Sequence, residues 1–326
     1  MSLRIGPGRV DVPRSRRGRW LVVTMLVALA FSLLTGTSFA QQPIPSDSGP
    51  DGIPALPPAA SPRIVGGAAV PDGKYPFQAA LLLQSNGNDD YQRQFCGGSL
   101  IAPSQVLTAA HCVDFFGAGP DPMPVSELRV VVGRTVLTSN QGQRRSVQKI
   151  AIHPRWSRTT FSYDAAVITL AQPIVGIRPI LVTPGLAALE RPGKPVTISG
   201  WGNTLAQPIG SDAGSSFPDR MREVAVPIVS PTACDAALTF DGVHLLDRQT
   251  MLCAGRAGRD TCHGDSGGPL FTRALAGRYV QVGITSWGVG CAAAGYPGVY
   301  TKLSNRSIGS FILNAPIDPV RGRGGQ

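Results

Sequence analysis

Three short segments hold side chains that could do chemistry together. They are Leu107-Thr108-Ala109-Ala110-His111-Cys112, Tyr163-Asp164-Ala165-Ala166-Val167 and Gly264-Asp265-Ser266-Gly267-Gly268-Pro269. A serine hydroxyl is a weak nucleophile at neutral pH unless a base accepts its proton. Imidazole has the pKa for that task, and a carboxylate beside it fixes the tautomer and stabilises the cation that forms. The glycines around Ser266 let the backbone aim the N–H groups of Gly264 and Ser266 at a developing oxyanion, each such donor being worth about 3 kcal/mol of barrier. Taken singly, these signals have plainer readings: a satisfied core histidine, a capping aspartate, a tight turn. The chain order His, Asp, Ser with these neighbours favours nucleophilic catalysis.

The elements that must position these groups are short strands. Val130–Val132, Val147–Ile152, Ala165–Leu170, Pro195–Ile198 and Val280–Ser286 are β-branched or alternating runs between turn residues, and one short helix is expected over Ser304–Leu313. The chain of 326 residues carries 39 Gly and 29 Pro, a turn-rich composition that opposes a helical bundle. With 43% apolar residues it can bury a core, so disorder of the whole chain is excluded. The pattern is all-β, sandwich or barrel. This layout and the chain order oppose an α/β esterase or lipase, although Gly264-Asp265-Ser266-Gly267-Gly268 satisfies the short elbow pattern.

The first forty residues carry much of the net charge of +10, as six Arg against Asp11. An uncharged apolar stretch, Leu21 to Leu34, and the small-residue site Ser38-Phe39-Ala40 follow, so 1–40 reads as a secretory signal peptide. That stretch is too short to span a ~30 Å hydrocarbon layer, and the alternative is an uncleaved anchor. Arg16-Arg17 adds a twin-arginine route as a second choice for export. Residues 41–63 are a Pro-rich propeptide, and 315–326 are a flexible tail. The remaining chain is only mildly basic and has no aromatic-interleaved basic stripe, which opposes nucleic-acid binding. The expected product is secreted, extracellular or periplasmic, monomeric and free of the membrane once the signal is removed.

All six cysteines, Cys96, Cys112, Cys234, Cys253, Cys262 and Cys291, lie beyond residue 63. An even number in an exported chain implies a disulfide framework, with fifteen pairings open. Spacing favours the local closures Cys96–Cys112, Cys234–Cys253 and Cys262–Cys291, each worth roughly 3–4 kcal/mol in the chain-entropy account. No Cys-x-x-Cys pair is present, so a zinc site is not expected.

Over residues 64–314 the sequence resembles the chymotrypsin/trypsin family of serine endopeptidases. The motifs are IVGG at 64–67, CGGSLI at 96–101, TAAHC at 108–112, SGWG at 199–202, GDSGGP at 264–269, SWG at 286–288 and PGVYTKL at 297–303. The resemblance implies two packed six-stranded antiparallel β-barrels with the site between them and a short C-terminal helix. It implies His111 as general base and acid, Asp164 as its orienting partner and Ser266 as nucleophile, acting through an acyl-enzyme without a cofactor. Asp260 falls where relatives place the base of the primary specificity pocket, with Ser286, Gly288 and Gly298 around it. Cleavage after Arg or Lys is therefore expected, bidentate for Arg and a point contact for Lys. Polypeptides with Arg or Lys at the cleaved position are the implied substrates, and protein protease inhibitors the implied partners.

Arg63-Ile64 is the implied activation site. Cutting there creates an ammonium on Ile64 that could fold inward to Asp265, whose buried carboxylate is costly without a partner. Three departures from the family stand out. Gln94 replaces a His that holds the buried Asp in some precursors. Arg134 and Arg144 fall where calcium-binding relatives have carboxylates, so no metal is expected there. The loops Gln84–Gln94 and Val113–Ser126 are longer than in digestive trypsins. Phe161 is expected to narrow the subsite beside the primary pocket. His263 is expected to line the cleft, and His153 and His244 to lie at the surface. A protease fold that has lost its activity is the competing class; the retention of His111, Asp164 and Ser266 opposes it.

Overall fold

The computed structural model describes residues 64–114, 122–207, 214–274 and 277–315. Arg63, the signal peptide, the propeptide and residues 316–326 of the tail lie outside them. The first strand, Ala68–Ala69 (β1), is an edge strand. Six strands follow: Gln78–Leu83 (β2), Gln94–Ala102 (β3), Gln105–Thr108 (β4), Leu128–Val132 (β5), Gln143–Ile152 (β6) and Ala166–Leu170 (β7). They close into an antiparallel barrel in the order β2-β3-β4-β7-β6-β5. β2, β4, β5 and β7 are buried almost throughout, which explains why they read as apolar runs rather than alternating patterns.

After the short parallel strand Leu181–Val182 (β8), the second barrel is built from Pro195–Gly200 (β9), Arg222–Val229 (β10), Met251–Ala254 (β13), Pro269–Arg273 (β14), Tyr279–Trp287 (β15) and Gly298–Lys302 (β16). Thr239–Phe240 (β11) and Val243–His244 (β12) form a separate hairpin. Pairing runs β10-β13-β16-β15-β14-β9, and β9 pairs back to β10, closing six antiparallel strands. The architecture is thus two six-stranded barrels, each ending the edge problem by closure.

Buried amide and hydroxyl groups join the barrels. Ser199 Oγ donates to Gln78 Oε1 at 2.8 Å, and Ser99 Oγ to Gln281 Oε1 at 2.6 Å. Beside them Tyr75, Phe77, Phe271 and Tyr279 pack largely edge-on, with centroids 4.9–5.9 Å apart. The C-terminal helix is Arg306–Asn314 (α3). It begins two residues later than expected because Asn305 is its N-cap, accepting from the Ile308 N–H at 3.1 Å. Ile308, Phe311 and Ile312, one helical face, pack into the core of the first barrel. Two further helices, Asp90–Arg93 (α1) and Pro231–Ala237 (α2), lie in loops.

All three local disulfides are formed: Cys96–Cys112, Cys234–Cys253 and Cys262–Cys291. His153 is a correction. It is buried rather than at the surface, stacked on Tyr163 at 4.8 Å and edge-on to Phe311 at 5.0 Å. Its Nδ1 accepts from the Arg155 N–H, its Nε2 meets Ser307 Oγ, and burial holds its pKa below the ordinary value. The docking of α3 on the first barrel, invisible locally, covers this ring. His244 is exposed, as expected, beside Asp235.

Candidate active site

β4 ends at Thr108 and the chain turns through buried Ala109 into a 3-10 turn, Ala110–Cys112, that carries His111. Alanines at 109 and 110 let this turn sit against the barrel with only a methyl group each to accommodate. Asp164 stands just before β7, after Tyr163, whose φ of +58° is left-handed. Its carboxylate is fully buried. Oδ1 accepts from the His111 backbone N–H at 2.9 Å, and Oδ2 meets His111 Nδ1 at 2.8 Å. Two bonds to one residue fix both backbone and ring, and the described contact of Nε2 is Cys112 Sγ at 3.7 Å.

The second barrel completes this shell. Ser286 Oγ donates to Asp164 Oδ2 at 2.5 Å, and Thr301 Oγ1 donates to the Asp164 carbonyl at 2.7 Å. Burial opposes charge on the imidazole of His111. The charge and hydrogen bond of Asp164 outweigh it, so the ring's pKa lies above that of ordinary histidine.

Ser266 sits in the turn between Cys262 and Pro269, pinned by Asp265 N–H to Cys262 O at 3.0 Å and Gly268 N–H to Asp265 O at 2.9 Å. Its own carbonyl accepts from the Gly97 N–H of β3 at 2.7 Å. Gly267 is required by close approach: its φ is +78°, and a Cβ there would stand 2.2 Å from Thr108 Oγ1. Gly264 has φ +97°. The His263 carbonyl accepts from Asn203 N–H at 2.8 Å, and the Gly264 carbonyl from Gln94 Nε2 at 2.9 Å. A trans peptide points its C=O and N–H in opposite directions. Anchoring His263 O therefore turns the Gly264 N–H the other way. Among the described hydrogen bonds, neither the Gly264 nor the Ser266 N–H is used.

His111 and Ser266 line one cavity of about 320 Å³ with Phe161, Asp260, His263, Ser286 and Gly288. Asp260 is buried, accepting from the N–H groups of Thr261 at 2.8 Å and Ala292 at 3.2 Å. Burial pushes its carboxyl up to about 7 against those N–H bonds, and the nearby Asp265 adds to the rise. Gly298 lies against this floor. A Cβ there would be 2.5 Å from Asp260 Oδ1, and one on Gly288 would face the Gly298 Cα at 4.0 Å.

Asp265 is also buried, its carboxylate accepting from Gly202 N–H at 2.8 Å and Cys262 N–H at 3.1 Å. Burial pushes it up to about 6. Ile64 begins a 3-10 turn, and the neighbouring Val65 packs on the Cys262–Cys291 disulfide. Cys96, His111 and Cys112 lie within 4.8 Å of one another, but both sulfurs are committed to the disulfide.

Sequence reasoning thus put His111, Asp164, Ser266, Asp260 and Gly288 at one place, and the structure brings them together. It assigned Ser286 to the specificity pocket alone, whereas its hydroxyl also holds Asp164. It missed the role of Thr301, which lies inside the PGVYTKL motif at 297–303 but carries no local sign of its bond to Asp164. The role of Gln94 was equally hidden.

Residues 64–308 match the family model described as Trypsin. The chain is 36% identical over 249 residues to Tryptase of Mus musculus, covering 74% of this chain and 85% of that protein. It is 36% identical over 242 residues to Trypsin of Saccharopolyspora erythraea, covering 74% and 93%. A 34% match to Transmembrane protease serine 9 of Rattus norvegicus covers 90% of this chain and 26% of that protein. The matched segment is also only 30% of Serine proteinase stubble of Drosophila melanogaster, so the chain spans about a quarter to a third of these two larger relatives.

Proposed function

The chain belongs to the trypsin family of serine proteases, and from that premise we propose that it is a secreted endopeptidase cutting after Arg or Lys. The observation that carries this reading is one cavity lined by Ser266, a buried acidic floor and His111, whose ring Asp164 holds. Ser266 Oγ attacks the scissile carbonyl carbon while His111 Nε2 takes the hydroxyl proton. The carbonyl oxygen gains the electron pair and is met by the Gly264 and Ser266 N–H groups. Collapse expels the amine, which receives the proton from His111 and leaves an ester on Ser266. Water then attacks that ester with the same proton path reversed, releasing the acid and regenerating Ser266. Asp164, tied to both His111 N–H groups and to Ser286, keeps the imidazole in the tautomer that accepts at Nε2.

Asp260 supports the basic preference. An unpaired buried carboxylate is relieved by a guanidinium or ammonium, and Gly288 and Gly298 leave room for the long stem. Asp265 supports activation by cleavage after Arg63: its described partners are neutral N–H groups, and the new ammonium of Ile64 would supply the missing cation. Export by the 1–40 segment and release of the 41–63 propeptide complete the proposed maturation. No helix among the described residues is long and apolar enough to cross a membrane. Protein inhibitors that present an Arg or Lys to this pocket are the expected macromolecular partners.

The test is hydrolysis of an Arg-linked chromogenic peptide by the secreted protein, with Ser266→Ala and Arg63→Gln beside it. Turnover should be blocked by a fluorophosphonate, vanish in Ser266→Ala and be absent from the secreted Arg63→Gln precursor. Aromatic preference at the cleaved position would refute the assignment of Asp260, and full activity of Arg63→Gln would refute the activation step.

A further inference from the structure

Behind His111, outside the catalytic groups, lies a buried carboxylate that the mechanism above does not use. Asp114 is three residues beyond His111, and its side chain is 2% exposed. Its backbone N–H is bonded to Ala110 O at 2.9 Å, so it moves with the turn that carries the imidazole. Its two oxygens reach across to the loop that leads into Asp164. Oδ2 accepts from Trp156 Nε1 at 2.7 Å and from Arg158 Nε, and Oδ1 accepts from Arg158 Nη2 at 2.6 Å. This is a bidentate guanidinium pair with a third donor from an indole, an arrangement of high geometric specificity.

What the clasp holds is a strained loop with an aromatic side chain at its end. Phe161 has φ +56°, a conformation costly for a bulky residue and kept only where surroundings over-determine it. Its ring meets Trp156 edge-on at 5.4 Å and packs on His111 at 5.8 Å. Asp114 thus grips Trp156, Trp156 supports Phe161, and Phe161 walls the cavity beside His111.

A substrate in extended conformation alternates its side chains. With the Arg or Lys side chain directed to Asp260, the preceding residue points the opposite way, toward His111 and Phe161. We propose that Asp114 is a positioning residue that clasps the Phe161 loop to the His111 segment, and thereby limits the size of the substrate side chain preceding the cleaved residue. The proposal rests on the serine-protease reading of the same cleft.

The experiment compares two p-nitroanilide peptides ending in Gly-Arg and Phe-Arg, with the activated full-length protein. Wild type should favour Gly-Arg in kcat/KM on the order of tenfold or more, the scale of steric discrimination in an apolar pocket. Phe161→Ala should abolish the preference. Arg158→Ala and Asp114→Asn should lower it about fivefold or more, chiefly through KM for Phe-Arg, and neither should add to Phe161→Ala in a double-variant cycle. Arg158 is partly exposed, so its variant decides the matter even where Asp114→Asn fails to fold. An unchanged preference in Arg158→Ala, or an equal effect with Phe161 already removed, overturns the clasp alone. Absence of turnover of both peptides by the wild type overturns the protease reading and the clasp with it.

Discussion

Asp260 offers the sharpest quantitative test, because its carboxyl is buried and, among the described residues, its hydrogen-bond partners are neutral groups of Thr261 and Ala292. Its pKa of about 7 lies some three pH units above the ordinary 3.8. At 1.36 kcal/mol per unit, that is roughly 4 kcal/mol held against ionisation by burial. The sign follows directly. A raised acid pKa means the empty enzyme loses stability as pH climbs from about 4 to about 7, where the unfolded chain gives up a proton that the folded one keeps. A bound amidinium removes that penalty by pairing with the carboxylate.

Benzamidine, an aryl amidinium, should therefore bind with a Ki that is nearly flat above pH 8 and rises about tenfold per unit below pH 7. Its thermal stabilisation should be larger at pH 8 than at pH 5. Asp260→Asn should weaken it by on the order of 10²–10³ and flatten the profile, since truncating one partner of a buried charge pair costs about 2–5 kcal/mol. The assay is competitive inhibition of the hydrolysis of an uncharged ester, from pH 5 to pH 9, in both proteins. A wild-type Ki that changes less than threefold over that range, or an Asp260→Asn profile as steep as wild type, would refute the account of the pocket.

Other perturbations separate the remaining parts of the site. Asp164→Asn should lower kcat by on the order of 10⁴, because an amide cannot hold the productive tautomer of His111; stopped assays with an active-site titration will read it. The acid limb of kcat/KM should have its midpoint above the ordinary histidine value, since Asp164 favours the protonated ring and His111 must lose that proton to act as base. Gly298→Ala places a Cβ against Asp260 Oδ1 and should raise KM for Arg peptides far more than for small neutral esters. Cys262→Ser with Cys291→Ser should cost about 3–4 kcal/mol of stability, measured by denaturant melts, because it reopens a loop with a sequence separation of 29 beside the pocket.

Much of the molecule is legible in one dimension because covalent neighbours report on local conformation. The turn glycines around Ser266, the apolar runs that became barrel strands, the cysteine spacings and the order of His111, Asp164 and Ser266 are all short-range patterns. The elements they specify, including the three disulfides and a C-terminal helix displaced only by its Asn305 cap, are found as expected. Which residues share the chemistry across barrels was settled by closure and docking alone. Ser286 meets Asp164 across 122 positions, Gln94 meets Gly264 across 170 and Ser307 meets His153 across 154. Asp114 finds Arg158 only because β4 and β7 pair and bring the chain beyond His111 alongside the loop before Asp164. Such bonds carry no periodicity and demand no special residue type along the chain. The Ser286–Asp164 and Gln94–Gly264 bonds exist only when two separately closed barrels place donor and acceptor within reach, and the other two only when one barrel closes and α3 docks on it.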